Sequence, residues 1–249
     1  MTIYKPDEQL ISILSQTMDD DSAAFKFIKN KYSKYLSKVK ARDLAFAEQE
    51  LVNRGIEFGV IEKKLPQHIR LLNSHAKMIF KSLPDTHILR KLIAEHHLVK
   101  DLLVQIRQMS SHLGQVLYFT ATSGEFKSLI KMAEHVSTSS KHTDIEQDII
   151  FPLLERSGIE AIPRLLRAEQ FELRHYSAQF HELASKCCMK NIGQTRERFR
   201  EISKRLPPLK QRYMLVEENV IYPVALETAN NKTWDTLQKK CEKAGFLDN

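Results

Sequence analysis

Six side chains in this sequence have the types and spacing to hold a cation: His96, His142, Glu146, Gln170, Tyr213 and Glu217. His142 and Glu146 are four residues apart, so on a helix both leave the same side, the relation on which helix-borne metal sites are built. His96 falls within Leu89, Leu92, His96, Val99, Leu103 and Ile106, a series stepping by three or four. Such a series is the buried stripe of a helix, and it sets an imidazole where the core should be. A buried carboxylate is costly unless it is paired or ligates a metal. Imidazole and carboxylate donors without thiolate favour iron, manganese or zinc over copper(I) or an iron–sulfur cluster.

The donors sit in a repeat. Glu146-Gln-Asp-Ile-Ile-Phe-Pro152 and Glu217-Glu-Asn-Val-Ile-Tyr-Pro223 share a Glu, two polar residues, two β-branched residues, an aromatic and a proline, which suggests a duplicated helical hairpin. The first half carries His96, His142 and Glu146. In the second half Gln170 stands where His96 would, Tyr213 where His142 would, and only Glu217 keeps its type. Gln170 and Tyr213 are therefore either oxygen ligands or marks of a decayed site. His135, Glu218 and His112 are left open as further candidates, and His68, His97, His175 and His181 are assigned to surface or packing.

Four amphipathic segments position these residues. After the first, His135, His142, Ile145, Glu146, Ile149 and Leu153 share a face, since seven residues return to within about 20° of the starting direction. The third stripe is Leu166, Gln170, Leu173, Ser177 and Phe180. The fourth, Gln194 to Glu227, carries Leu209, Tyr213, Val216, Glu217, Val220 and Val224, with Pro207-Pro208 expected to kink or divide it. Connections at Gly158 and Gly193 suit antiparallel neighbours, and Trp234 begins a short last helix packed outside. Residues 1–82 read as helices over Glu8–Met18, Ser22–Lys38, Ala41–Arg54 and Val60–Lys81, with Gly55 and Gly59 bracketing a turn. Leu83-Pro84-Asp85 suits a linker into a helix start, which places a domain boundary between 82 and 83.

Only 7 Gly and 8 Pro in 249 residues favour an all-α chain. The net charge of +7 is spread along helices among acids, which indicates a solvated surface rather than a nucleic-acid site. No apolar run approaches the ~18 residues of a membrane span, and no signal peptide is evident, so a cytoplasmic protein is expected. Cys187, Cys188 and Cys241 have neither disulfide nor zinc spacing and are expected to be reduced thiols.

Ala94-Glu95-His96-His97-Leu98-Val99, His142-Thr-Asp-Ile-Glu146 through Pro152, and Glu217 through Glu227 with Trp234 resemble the hemerythrin HHE cation-binding family. Ala47-Glu-Gln-Glu-Leu51 with Gly55-Ile56, and Leu71 to Ala76 with Phe80, resemble a small helical domain found in front of hemerythrin domains in uncharacterised, mostly prokaryotic proteins. The resemblance implies an antiparallel hemerythrin-like four-helix bundle over 83–249, preceded by a small helical leader over 1–82. It also implies a diiron centre, with Glu146 and Glu217 as bridging carboxylates and His96 and His142 as terminal ligands. The family commonly has histidine where this chain has Gln170 and Tyr213, which leaves a weakened diiron site, a mononuclear one, or an oxygen-rich second position.

Three functions compete on this reading. The first is a binding protein rather than an enzyme: non-haem iron, with manganese and zinc as alternatives, senses or binds dioxygen or nitric oxide. Its output would come from the leader or from a partner, either another protein or a second copy of the chain. The second is repair of iron–sulfur clusters under nitrosative stress, against which stands the absence of cysteine from residues 1–82. The third is an interaction module whose metal site is degenerate.

Overall fold

The computed structural model describes residues 7–18, 22–72, 76–113, 124–138, 141–186 and 192–243, and among them every regular element is helical. In chain order these are α1 (Glu8–Ser15), α2 (Ser22–Lys31), α3 (Ser33–Leu36), α4 (Ala41–Asn53), α5 (Phe58–Leu71), α6 (Ala76–Ser82) and α7 (Ile88–Leu113). There follow α8 (Gly124–Thr138), α9 (Lys141–Ile149), α10 (Phe151–Arg156), α11 (Ala161–Lys186) and α12 (Ile192–Val216). A π-helical turn (Glu217–Ile221), α13 (Tyr222–Thr228) and α14 (Asn231–Lys243) complete the order.

Several helices differ from their sequence expectation for local reasons. The stretch from Ser22 to Lys38 is interrupted at Tyr32, whose backbone leaves the helical region at φ −106°, ψ 14°. The stretch from Val60 to Lys81 starts earlier, at Phe58, and α5 ends where Leu72 turns extended. The second bundle segment is α8, α9 and α10 rather than one helix, and it restarts after Ile150 with Pro152 in the first turn of α10, where its missing N–H costs nothing. Pro207 and Pro208 do not divide the fourth segment, because α12 runs through both. Only the bonds to the carbonyls four residues back are lost, and buried Leu206 and Leu209 anchor the turn from the core side. Gly193 lies in the first turn of α12, not in a connection.

Gly55 and Gly158 close α4 and α10 in the left-handed conformation, at φ 90° and 91°. In each case the glycine N–H bonds three residues back and the next N–H five back: Gly55 to Val52 at 3.0 Å and Ile56 to Leu51 at 3.1 Å, Gly158 to Glu155 and Ile159 to Leu154 at 3.0 Å. This is the Schellman closure, which satisfies the last helical carbonyls at a backbone angle that a Cβ would strain.

The chain divides into two compact units. The first comprises Met1–Arg90, Gln147–Arg167 and Leu215–Trp234, the second Lys91–Glu146, Ala168–Met214 and Asp235–Asn249. In the first, α1 packs on α4 and α4 on α5, burying Leu10, Leu14, Leu44, Leu51, Ile61 and Leu65. Each such side chain contributes about 1.5–3 kcal/mol on burial. α4 also packs against the π turn and α13, and α10 against α13. The start of α11 is capped from α4, where Gln49 Oε1 accepts the N–H groups of Glu160 at 2.8 Å and Ala161 at 2.7 Å, two of the donors a helix N-terminus leaves open. The His87 and Trp234 rings stand 5.0 Å apart in the same unit. In the second unit Val99, Leu103 and Ile106 of α7, Leu173 and Phe180 of α11, and Phe199 and Leu206 of α12 are buried.

Candidate metal centre

Four polar or aromatic candidates occupy core positions of the second unit. His96 on α7, Glu146 on α9 and Tyr213 on α12 are fully buried, and Gln170 on α11 is 4% exposed. The amphipathic stripes explain this, since each of these residues replaces an apolar one in a three-four series. Glu217, in the first unit, is also fully buried and opens the π turn. A π turn admits an extra residue into one helical turn, and such turns are frequent at functional sites. His142 lies in α9, but its side chain falls outside the described residues.

Burial shifts two titratable groups of the second unit. Burial pushes the Glu95 carboxyl up to about 8, and the charge of Lys210 and then of His96 opposes that shift only in part. Cys241 on α14 is buried and reduced. Its thiol is pushed up to about 12, first by burial and then by the negative charge of Glu146, Glu95 and Glu242. Glu95 and Glu146 therefore act on the same point of a low-dielectric interior, where charge is felt most strongly. The Lys210 ammonium lies 5.6 Å from the centre of the Tyr213 ring, within cation–π reach.

Gln170 is held from its side. Its Nε2 donates to Asp144 Oδ1, and Arg174 donates to the same oxygen. Gln170, Arg174, Thr143, Ser177 and Lys210 line part of a small cavity of about 20 Å³.

Buried imidazole and carboxylate match a borderline or hard cation in kind. They fall short in number: among the described residues no three His, Cys, Asp or Glu side chains form a group that could hold a metal.

The other histidines separate cleanly. His97, His112, His135, His175 and His181 are exposed, which leaves His135 and His112 no place in a buried site; Glu218 is half-buried. His87 Nδ1 accepts the Leu89 N–H at 3.2 Å, at the start of α7. His68 is fully buried in the first unit, with Nδ1 2.6 Å from Glu48 Oε1 and Nε2 2.9 Å from Thr17 Oγ1. Sequence reasoning passed over Glu95, Asp144, Lys210 and Cys241. For Cys241 a signal existed, because Trp234, Leu237 and Cys241 step by three and four along α14.

The family model of the hemerythrin HHE cation binding domain matches residues 87–225, a stretch that contains all six candidate positions. No curated protein and no solved structure matches the chain.

Proposed function

This chain belongs to the hemerythrin HHE cation-binding family, and from that premise we propose that it holds non-haem iron in its interior and uses it to bind or sense dioxygen or nitric oxide. The observation that carries the reading is the full burial of His96, Glu146 and Glu217, side chains of the kinds that ligate iron, within the stretch that the family model matches. The negative charge of Glu146, Glu95 and Glu242, which adds to burial in raising the Cys241 thiol, supports it, because a nearby cation would be stabilised by those carboxylates.

In this reading His96 and His142 donate as neutral imidazoles and Glu146 and Glu217 as carboxylates. The repeat in the sequence carries the assignment of Glu217. Gln170 and Tyr213 supply oxygen donors to a second position, with Tyr213 excluding water from it. Bound iron supplies an open coordination position at which a small gas can bind. Manganese or zinc suits the same donors.

The test is metal content with an absorption spectrum, on wild type and on His142→Ala. Iron in the wild type, lost in His142→Ala, is the expected result, together with new absorption when the anaerobic iron-loaded protein meets dioxygen or nitric oxide. Loaded protein with a spectrum indifferent to both gases overturns the sensing role. A second reading, an interaction module with a degenerate site, draws on the lack of a three-donor group among the described residues. Substoichiometric metal after expression in iron-rich medium would select it.

A further inference from the structure

We propose that the outward face of α2, α3 and the turn into α4, residues 22–42, binds single-stranded nucleic acid, with its lysines on the phosphates and the Phe27 ring against a base. The proposal is independent of the iron-binding reading above.

Averaged over the chain, basic residues are mixed with acidic ones, but this segment is an exception. Between Asp21 and Asp43 stand seven of the 38 basic residues and none of the 31 acidic ones. The rest of the chain is therefore neutral on balance, and the whole net charge of +7 comes from 21 consecutive residues. Five of the seven, Lys26, Lys31, Lys34, Lys38 and Lys40, are exposed, and among the described residues none of the five forms an ion pair. Like charges gathered without counter-charge repel one another, and a polyanion relieves that repulsion while releasing its own counterions. Lys29 turns inward instead: its ammonium donates to the Arg70 carbonyl at 2.6 Å and ties α2 to the end of α5.

Aromatic rings are interleaved with this charge. Tyr32 and Tyr35 are half-buried, and Phe27 is 64% exposed. The Lys31 ammonium lies 5.1 Å from the centre of the Tyr32 ring and 5.6 Å from that of Phe27, within cation–π reach, so charge and ring are held side by side. The aliphatic side chains Ile28, Leu36 and Val39 of the same segment are buried. They anchor it to its unit, and what faces outward is cationic and aromatic. A single strand matches that surface, because its phosphates need cations and its unstacked bases need a ring. A duplex keeps its bases stacked on each other and offers the ring nothing. An anionic membrane calls for a row of exposed apolar side chains beside the lysines, and among the described residues of this segment Phe27 is the only large hydrophobic side chain so exposed.

The test is fluorescence anisotropy of a labelled oligothymidylate titrated with the full chain at several salt concentrations. Binding should weaken as salt rises, with a log–log slope of about −0.7 per phosphate neutralised. Phe27→Ala should weaken it about 5- to 140-fold, the loss of one stacked base. Lys34→Ala with Lys38→Ala should make the slope shallower by about 1.4. Lys239→Ala with Lys240→Ala removes the same charge from exposed positions on α14 and should leave the slope unchanged. Circular dichroism of all variants should match wild type, since the substitutions are at the surface. No binding at low salt overturns the proposal. Equal losses from both lysine pairs overturn it as well, because net charge rather than this face would then be responsible. So does a strand annealed to its complement that binds as tightly as the single strand, with Phe27→Ala neutral. Phosphatidylserine vesicles that hold the chain when oligothymidylate does not would overturn it and assign the face to a membrane surface.

Discussion

Two buried histidines, one in each compact unit, show what separates a structural imidazole from a candidate ligand. In the first unit His68 spends both ring nitrogens on protein atoms, Nδ1 on Glu48 and Nε2 on Thr17. The Thr17 hydroxyl donates its one proton to the Leu14 carbonyl at 2.7 Å, so toward His68 it must accept, and Nε2 carries the hydrogen. The contact with Glu48 Oε1 occupies the other ring nitrogen, so the His68 imidazole has no lone pair left for a cation. In the second unit the balance differs. His96 lies beside Glu95, whose carboxyl is raised to about 8, and Glu146 and Glu95 together act on Cys241. The charge of Lys210 and then of His96 opposes the Glu95 shift only in part. A buried histidine near a glutamate is thus weak evidence for metal where both ring nitrogens are already engaged.

The contrast breaks most visibly through His68. Removing one member of a buried hydrogen-bonded pair costs about 3–5 kcal/mol, so His68→Ala should lower unfolding free energy by that order in a denaturant titration while bound iron per chain stays at the wild-type value. A loss of metal would show that the two regions are not separate in function. Glu146→Gln should behave in the opposite way. It should remove most bound iron, yet leave the metal-free protein at least as stable as wild type, since the substitution withdraws a carboxylate from a dry interior. Thermal unfolding with and without ferrous iron checks both halves, because a ligand that binds only the folded state raises the midpoint. An iron-dependent shift in Glu146→Gln equal to that of wild type would remove Glu146 from the site.

The two regions were also unequally legible in the sequence. His96, Gln170 and Tyr213 could be found because each interrupts an apolar stripe at helical spacing, and all three are buried. The duplicated Glu-to-Pro motif was legible too, and both copies place their proline in the first turn of a new helix, α10 and α13. How each copy gets there was not. One copy breaks after Ile149 and the other passes through a π turn, a choice made by packing rather than by the shared residue types. The His68 network was hidden because Thr17, Glu48 and His68 come from separate helices or their ends, 51 and 20 residues apart, and no periodicity links them. Asp144 carried no signal of its own, since its partners on α11 are 26 and 30 residues away.

A smaller effect sharpens the acidic side of the comparison. The Glu95 carboxyl ordinarily titrates at 4.5 and in the fold at about 8. Between those values the folded chain keeps a proton that the unfolded chain has lost, so folded stability must fall as pH rises through that window. Metal-free protein should therefore lose thermal stability from below pH 4.5 to above about pH 8, and Glu95→Gln should flatten that decline. An unchanged slope in the variant would mean that burial of Glu95 is not what sets it.

The smallest expected effect belongs to His97, and it tests the register on which the comparison stands. His97 follows His96 directly, but successive side chains on a helix point about 100° apart, and His97 is exposed where His96 is fully buried. A surface substitution away from caps and pairs changes stability by no more than about 0.5 kcal/mol. His97→Ala should therefore retain iron at wild-type stoichiometry and unfold within that margin. If it loses iron instead, α7 delivers the other imidazole to the core, and the interior set against the closed His68 network is built around the wrong residue.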